Sequence, residues 1–131
     1  MAEHFPVAVS AGSLRSADGV PMPHAWTDEG VTVEALFTGA HVLHLAVTGC
    51  VLNDIYREAN RMGVDVDGVR VTADGDFDTA TWQSTGIGYE IALDSRSPDD
   101  RVAELLSAVD EVAEIPRALR SATTVRRLGN G

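Results

Sequence analysis

Between Val33 and Met62 the chain has no proline and is dominated by Leu, Ala and Val. Gly39 divides this block, which predicts a short helix or turn before it and a long central helix over 40–62. The first half of that helix is apolar on nearly every side: Val42, Leu43, Leu45, Ala46, Val47, Val51 and Leu52. Its second half carries Asp54, Arg57, Glu58 and Arg61. Such a helix runs through a core and emerges at its C-terminal end. Gly63 supplies the stop. Gly49 costs about 1 kcal/mol of helix propensity, so either something approaches the backbone closely there or the helix is locally irregular.

Strict alternation appears next. Val69 and Val71 point one way and Arg70 and Thr72 the other, a turn and strand over 64–77. Over 86–95, Ile87, Tyr89, Ile91 and Leu93 alternate with Gly88, Glu90, Ala92 and Asp94, the pattern of a half-buried strand. Ser97-Pro98-Asp99-Asp100 then reads as a serine cap, a first-turn proline and an acid three after the cap. The second long helix follows over 97–112, with Val102, Leu105, Leu106, Val109 and Val112 on one stripe. Ile115-Pro116 interrupts it, a helical turn is placed at 117–120, and a last strand at 123–128. In the first 30 residues, 5–11 alternates partly, 17–19 is a turn, and Pro21 and Pro23 break regular structure, so a hairpin or arm is expected. The order ββ, αα, β, β, α, β predicts an α+β fold, helices packed on a mostly antiparallel sheet, within one domain over 1–131. So apolar a helix in so small a chain argues for an intertwined homodimer.

Charge narrows the function. Twenty acids against ten bases give a net charge of −10, which counts against a nucleic-acid binder. Every basic residue is arginine, so lysine Schiff-base chemistry is absent. Residues 65–114 hold thirteen acids and three arginines, whereas 115–131 hold four arginines and no acid. That basic tail is expected to contact the chain's own acidic surface or a second subunit; a small anion is the alternative. The alternate aspartates 65, 67, 74, 76 and 78 lack calcium-loop spacing and read as a solvated strand face. The apolar run is too short to span a membrane, and the N-terminus carries no leader pattern, so a cytoplasmic protein is expected.

One cysteine, Cys50, excludes an intrachain disulfide. It lies mid-helix with Asp54 and Arg57 four and seven residues later on the same broad face. Arg57 reaching back to the sulfur would favour a thiolate, and Asp54 would oppose it. The competing reading is a space-filling cysteine beside a local ion pair. His41 and His44 have ligand spacing, yet no third ligand follows from the pattern, so neither a metal nor a cofactor is expected. Trp26, Trp82, Phe77 and Tyr89 can line a small pocket or serve strands and interfaces. No phosphate-binding glycine loop or serine elbow occurs.

The sequence resembles the OsmC/Ohr family, the osmotically inducible protein C-like and organic hydroperoxide resistance proteins. The resemblance rests on Leu45-Ala46-Val47-Thr48-Gly49-Cys50-Val51-Leu52-Asn53-Asp54, on 59–71 with its Val-Asp-Gly-Val-Arg-Val strand, and on 103–119 with its proline-marked end. It implies an intertwined α+β homodimer with sites at the subunit interface. It also implies reduction of organic hydroperoxides by a two-cysteine cycle, with an arginine and a glutamate holding the thiolate and thiol or lipoyl reductants closing the cycle. This chain departs from the pattern. Ile115 stands where the second cysteine is expected, which leaves only a one-cysteine cycle closed by an external thiol. His41 occupies the region of the expected acid; Glu34 is the substitute, and Arg15 the early arginine. Two functions follow from the resemblance. One is a thiol peroxidase using Cys50 with Arg15 or Arg57 and Glu34. The other is a non-catalytic dimer, structural or binding a small apolar ligand beside Cys50.

Overall fold

The computed structural model describes residues 4–129, so the first three residues of the expected arm lie outside it. Nine elements follow in order: β1 (Val7–Gly12), β2 (Val20–Met22), β3 (Val31–Glu34), α1 (Gly39–Met62), β4 (Gly68–Phe77), β5 (Ser84–Asp94), α2 (Asp99–Val112), α3 (Glu114–Leu119) and β6 (Val125–Arg127). The architecture is α+β. Six strands form one sheet in the order β2-β3-β1-β4-β5-β6. Every pair is antiparallel except β5 with β6, so the sheet is mixed.

Period-two patterning sets the two faces of the sheet. Val7, Val9, Ala11, Val69, Val71, Ala73, Ile87 and Tyr89 are buried on the face that carries α1. The register opposes Val9 to Val33 on one side and to Val71 on the other, so Ala8, Glu34, Arg70 and Thr72 point to the opposite face. α1 contacts β1 and β4 as well as α2 and α3, and α2 rests chiefly on α1 rather than on the sheet. A hydrogen bond of 2.6 Å from the Tyr89 hydroxyl to Asp110 ties β5 to α2.

The long helix starts where Thr38, in extended conformation, accepts a hydrogen bond from the His41 amide through its side chain. It stops at Gly63, whose φ of 72° is the left-handed cap conformation. Several expectations need correction. Residues 31–34 form strand β3, not a helix or turn, because Val31 and Val33 find partners on both β1 and β2. Pro21 sits inside β2 and is tolerated there because β2 is an edge strand. Ser97 is not the cap of α2. Its hydroxyl accepts from the Asp65 amide, and Pro98 takes the cap position with no side-chain bond. Val112 falls off the buried stripe and is exposed. The helix is continuous through Gly49, and no atom of the described residues lies within 4 Å of where its Cβ would be.

That last point belongs to a larger pattern. Val42 is 43% exposed, Ala46 is exposed and Gly49 faces open space. The stripe of Val42, Ala46 and Gly49 on the first half of α1 is therefore open to solvent in the isolated chain. Nearby Leu36 and Phe37 are 73% and 94% exposed.

Replacing Thr38 by alanine removes the side-chain cap of the one helix that spans the core. T38A is expected to lose about 1 kcal/mol in urea unfolding, and T38S to lose a few tenths at most.

Candidate functional site

Cys50 lies about three turns past the start of α1 and is half-buried. Its thiol donates to Asp54 Oδ2 at 3.7 Å, the contact that an i, i+4 helical spacing brings about. Asp54 is fully buried. α3 closes the site from the other side. The backbone amide of Ile115 acts on the Cys50 sulfur in the sense that favours its ionised form, and the Glu114 carboxylate approaches it. One ligating atom each from Cys50, Asp54 and Glu114 lies within 4.8 Å of the others. Ile115, where the resemblance leads one to expect a second cysteine, thus brings its backbone close to the sulfur.

The electrostatics follow from this neighbourhood. Burial pushes the Cys50 thiol up to about 11, the negative charges of Asp54 and Glu114 add to the rise, and the Ile115 amide only partly opposes it. Burial likewise raises the Asp54 carboxyl, with Arg57 working against the rise. Arg57 does not turn to the sulfur. Its guanidinium reaches Asp54 Oδ1 at 3.3 Å and Glu58 Oε2 at 3.4 Å. Glu58 is held below the usual carboxylate range, chiefly by its hydrogen bond with Arg61. At neutral pH the arrangement therefore holds a protonated thiol that donates to Asp54.

The other candidate residues lie elsewhere. Arg15 follows β1 and pairs with Glu29 at 3.7 Å. Glu34 pairs with Arg70 across β1, on the face of the sheet opposite α1. Within the chain neither contact leads to Cys50. His41 is bound to Thr38 at 2.6 Å and His44 to the Phe5 carbonyl at 2.9 Å, so the two rings serve separate partners. Cys50, Asp54 and Glu114 have the donor types of a cation site, but the Arg57 guanidinium already supplies a positive charge there. Part of the basic tail meets the chain's own acids: Arg120 reaches Asp110 at 3.3 Å. Arg126 lines a shallow depression together with Asp74 and Asp76.

Glu114 was not among the sequence candidates. Only its position beside Ile115-Pro116 hinted at it, since nothing local links residue 114 to residue 50.

A family model described as "OsmC: OsmC-like protein" matches residues 33–126. No curated protein matches the sequence. Among solved structures, the chain is similar to an OsmC-like protein from Mycoplasma pneumoniae, with 12% identity and a TM-score of 0.65 over 78% of this chain and 82% of that one. It is also similar to an OsmC-like hydroperoxide resistance protein from Jannaschia sp. CCS1, with 17% identity and a TM-score of 0.61 over 98% of this chain and 95% of that one. At these identities the likeness is one of fold. No helix among the described residues is long and apolar enough to cross a membrane.

Because Asp54 and Glu114 both oppose ionisation of Cys50, D54N and E114Q are each expected to speed alkylation by iodoacetamide at mildly alkaline pH. Rates measured against the native protein check this. Unchanged rates in both variants would mean that burial alone sets the thiol.

Proposed function

The chain belongs to the OsmC-like protein family, and on that premise we propose a homodimer that keeps the family's central cysteine without a peroxidatic cycle. Its role is that of a small-molecule-binding or structural dimer in a reducing, cytoplasmic setting. The observation that carries this reading is the acidic surround of Cys50. Attack on a peroxide requires a thiolate. With the thiol pushed up to about 11, the ionised fraction at neutral pH is about one part in ten thousand. No arginine faces the sulfur among the described contacts, and Ile115 leaves no second thiol to form an internal disulfide.

The open stripe of α1 supports the dimer. Val42, Ala46 and Gly49 recur at helical spacing, Val42 and Ala46 exposed and Gly49 facing open space, beside the exposed Leu36 and Phe37. A second copy laid on this face would bury it, and the small residues would let two backbones approach. In an intertwined arrangement the same partner would sit close to the Cys50 site.

A second reading is a one-cysteine reductase of organic hydroperoxides, closed by an external thiol. The half-exposed sulfur and the Ile115 amide beside it favour this reading. It requires Arg15 or Arg57 to leave its present carboxylate and meet the sulfur, and Glu34 to leave Arg70 if it is to serve as the acid. Stopped-flow mixing of reduced protein with cumene hydroperoxide separates the two readings. The dimer reading expects consumption no faster than that of a free thiol and an unmodified Cys50 by mass spectrometry. Rapid consumption with a sulfenate at Cys50 would establish the reductase instead.

Sedimentation is expected to give twice the chain mass. A46R, at a position exposed in the chain, is expected to give the monomer with its secondary structure retained.

A further inference from the structure

Away from Cys50, a cavity of about 270 Å³ lies between the start of α1 and the β4–β5 hairpin, lined by Phe5, Ala40, Phe77, Thr79 and Trp82. Three of its five lining residues are aromatic. Ala40 and Cys50 are ten residues apart on one helix, about 15 Å along its axis, so the cavity is distinct from the cysteine site.

The walls are fixed from behind. The Phe5 amide donates to Asp74 Oδ1 at 2.8 Å, and its carbonyl accepts from His44 Nδ1 at 2.9 Å. Phe5 meets Phe77 edge-on with ring centroids 5.8 Å apart, and His44 stacks on Phe77 at 6.3 Å. His44 is fully buried behind this wall. On the open side stands Trp82. Its φ of 61° makes it the one non-glycine residue in the left-handed region among the described residues. That backbone conformation is strained for a bulky residue. The hairpin holds it nonetheless, through Trp82 N–H to the Asp78 carbonyl at 2.7 Å and Asp78 N–H to the Gln83 carbonyl at 2.9 Å. Trp82 is 72% exposed at the mouth of the cavity rather than buried, so the strained conformation gains the fold little.

Size and charge define what fits. A cavity of about 150 Å³ lined by apolar side chains holds benzene, so this one takes one or two fused rings. The aromatic walls favour a planar aromatic guest through edge and face contacts. The cavity borders the positive end of a 24-residue helix with no acid in its first turn. The His41 and Val42 amides are taken by Thr38, which leaves those of Gly39 and Ala40 without helical partners. Asp78, between the lining residues Phe77 and Thr79, is turned onto the Ala80 and Thr81 amides.

We propose that this cavity binds a small planar aromatic carboxylic acid, its rings among Phe5, Phe77 and Trp82 and its carboxylate toward the start of α1. The inference rests on the small-molecule-binding reading and deepens it by placing the ligand away from Cys50.

Calorimetric titration of the full chain with 2-naphthoate tests it, with 2-naphthylmethanol as the neutral comparison. One saturable site per chain is expected for the acid, with weaker binding of the alcohol. W82G relieves the backbone strain while removing one wall, and it should weaken the acid by about tenfold or more. C50S should bind as the native protein does. Absence of saturable binding, equal binding of acid and alcohol, or unchanged affinity in W82G would each overturn the proposal. Loss of binding in C50S alone would also overturn it, while leaving the small-molecule reading intact with the ligand at the cysteine. Binding that appears only in F37S would show that a second copy's Phe37 fills the cavity, and would overturn it as well.

Discussion

The packing of α1 across β1 and β4 is the contact on which the other features depend. A helix has one face to lay on a sheet, and α1 uses it to bury Val47, Val51, Leu52 and Ile55 against Val9, Val69 and Val71. The same rotation about the helix axis carries Asp54 fully inside and leaves Val42, Ala46 and Gly49 uncovered. An apolar helix with one covered face and one open stripe has part of its hydrophobic stabilisation still unrealised in a single chain. That constraint is the physical basis of the proposed pairing of two chains.

It also decides the chemistry at Cys50. Placing a cysteine one turn before a buried aspartate, and closing the gap with Glu114 from α3, surrounds the sulfur with negative charge. Arg57 is the nearby cation, and its geometry commits it to Asp54 and Glu58. A buried carboxylate needs that partner more than a neutral thiol does, since an unpaired buried charge is far costlier than a buried thiol. The ion pair and a thiolate are thus in competition for one guanidinium. The carboxylate wins. Two neighbouring acids thus add to burial in favouring the protonated form of the sulfur.

Much of the fold is legible from local pattern. The central helix, its glycine stop and the alternating strand over Ile87–Leu93 follow from periodicity and backbone preference, which are properties of neighbouring residues. Strand β3 was hidden because Val31–Glu34 is only four residues long and adjoins a Leu- and Ala-rich block; its identity comes from pairing on both edges. Ser97 misled because a serine hydroxyl serves a cap or a neighbouring turn equally well, and here the Asp65 amide claims it. At the site, Cys50, Asp54 and Arg57 were readable as one helix face. Glu114 was not, because it meets them only after the chain has run through two strands and α2. Arg15 and Glu34 came from resemblance, and pairing with Glu29 and Arg70 explains why neither meets Cys50 within the chain.

The central claim is that Cys50 is a neutral thiol at physiological pH because it is half-buried among carboxylates. Ultraviolet thiolate absorbance of the reduced native protein, followed as pH is raised, measures this directly, since the chain has no other cysteine. The account expects the transition near pH 11. A transition at or below neutrality would contradict it and return the sulfur to the role of an ionised nucleophile.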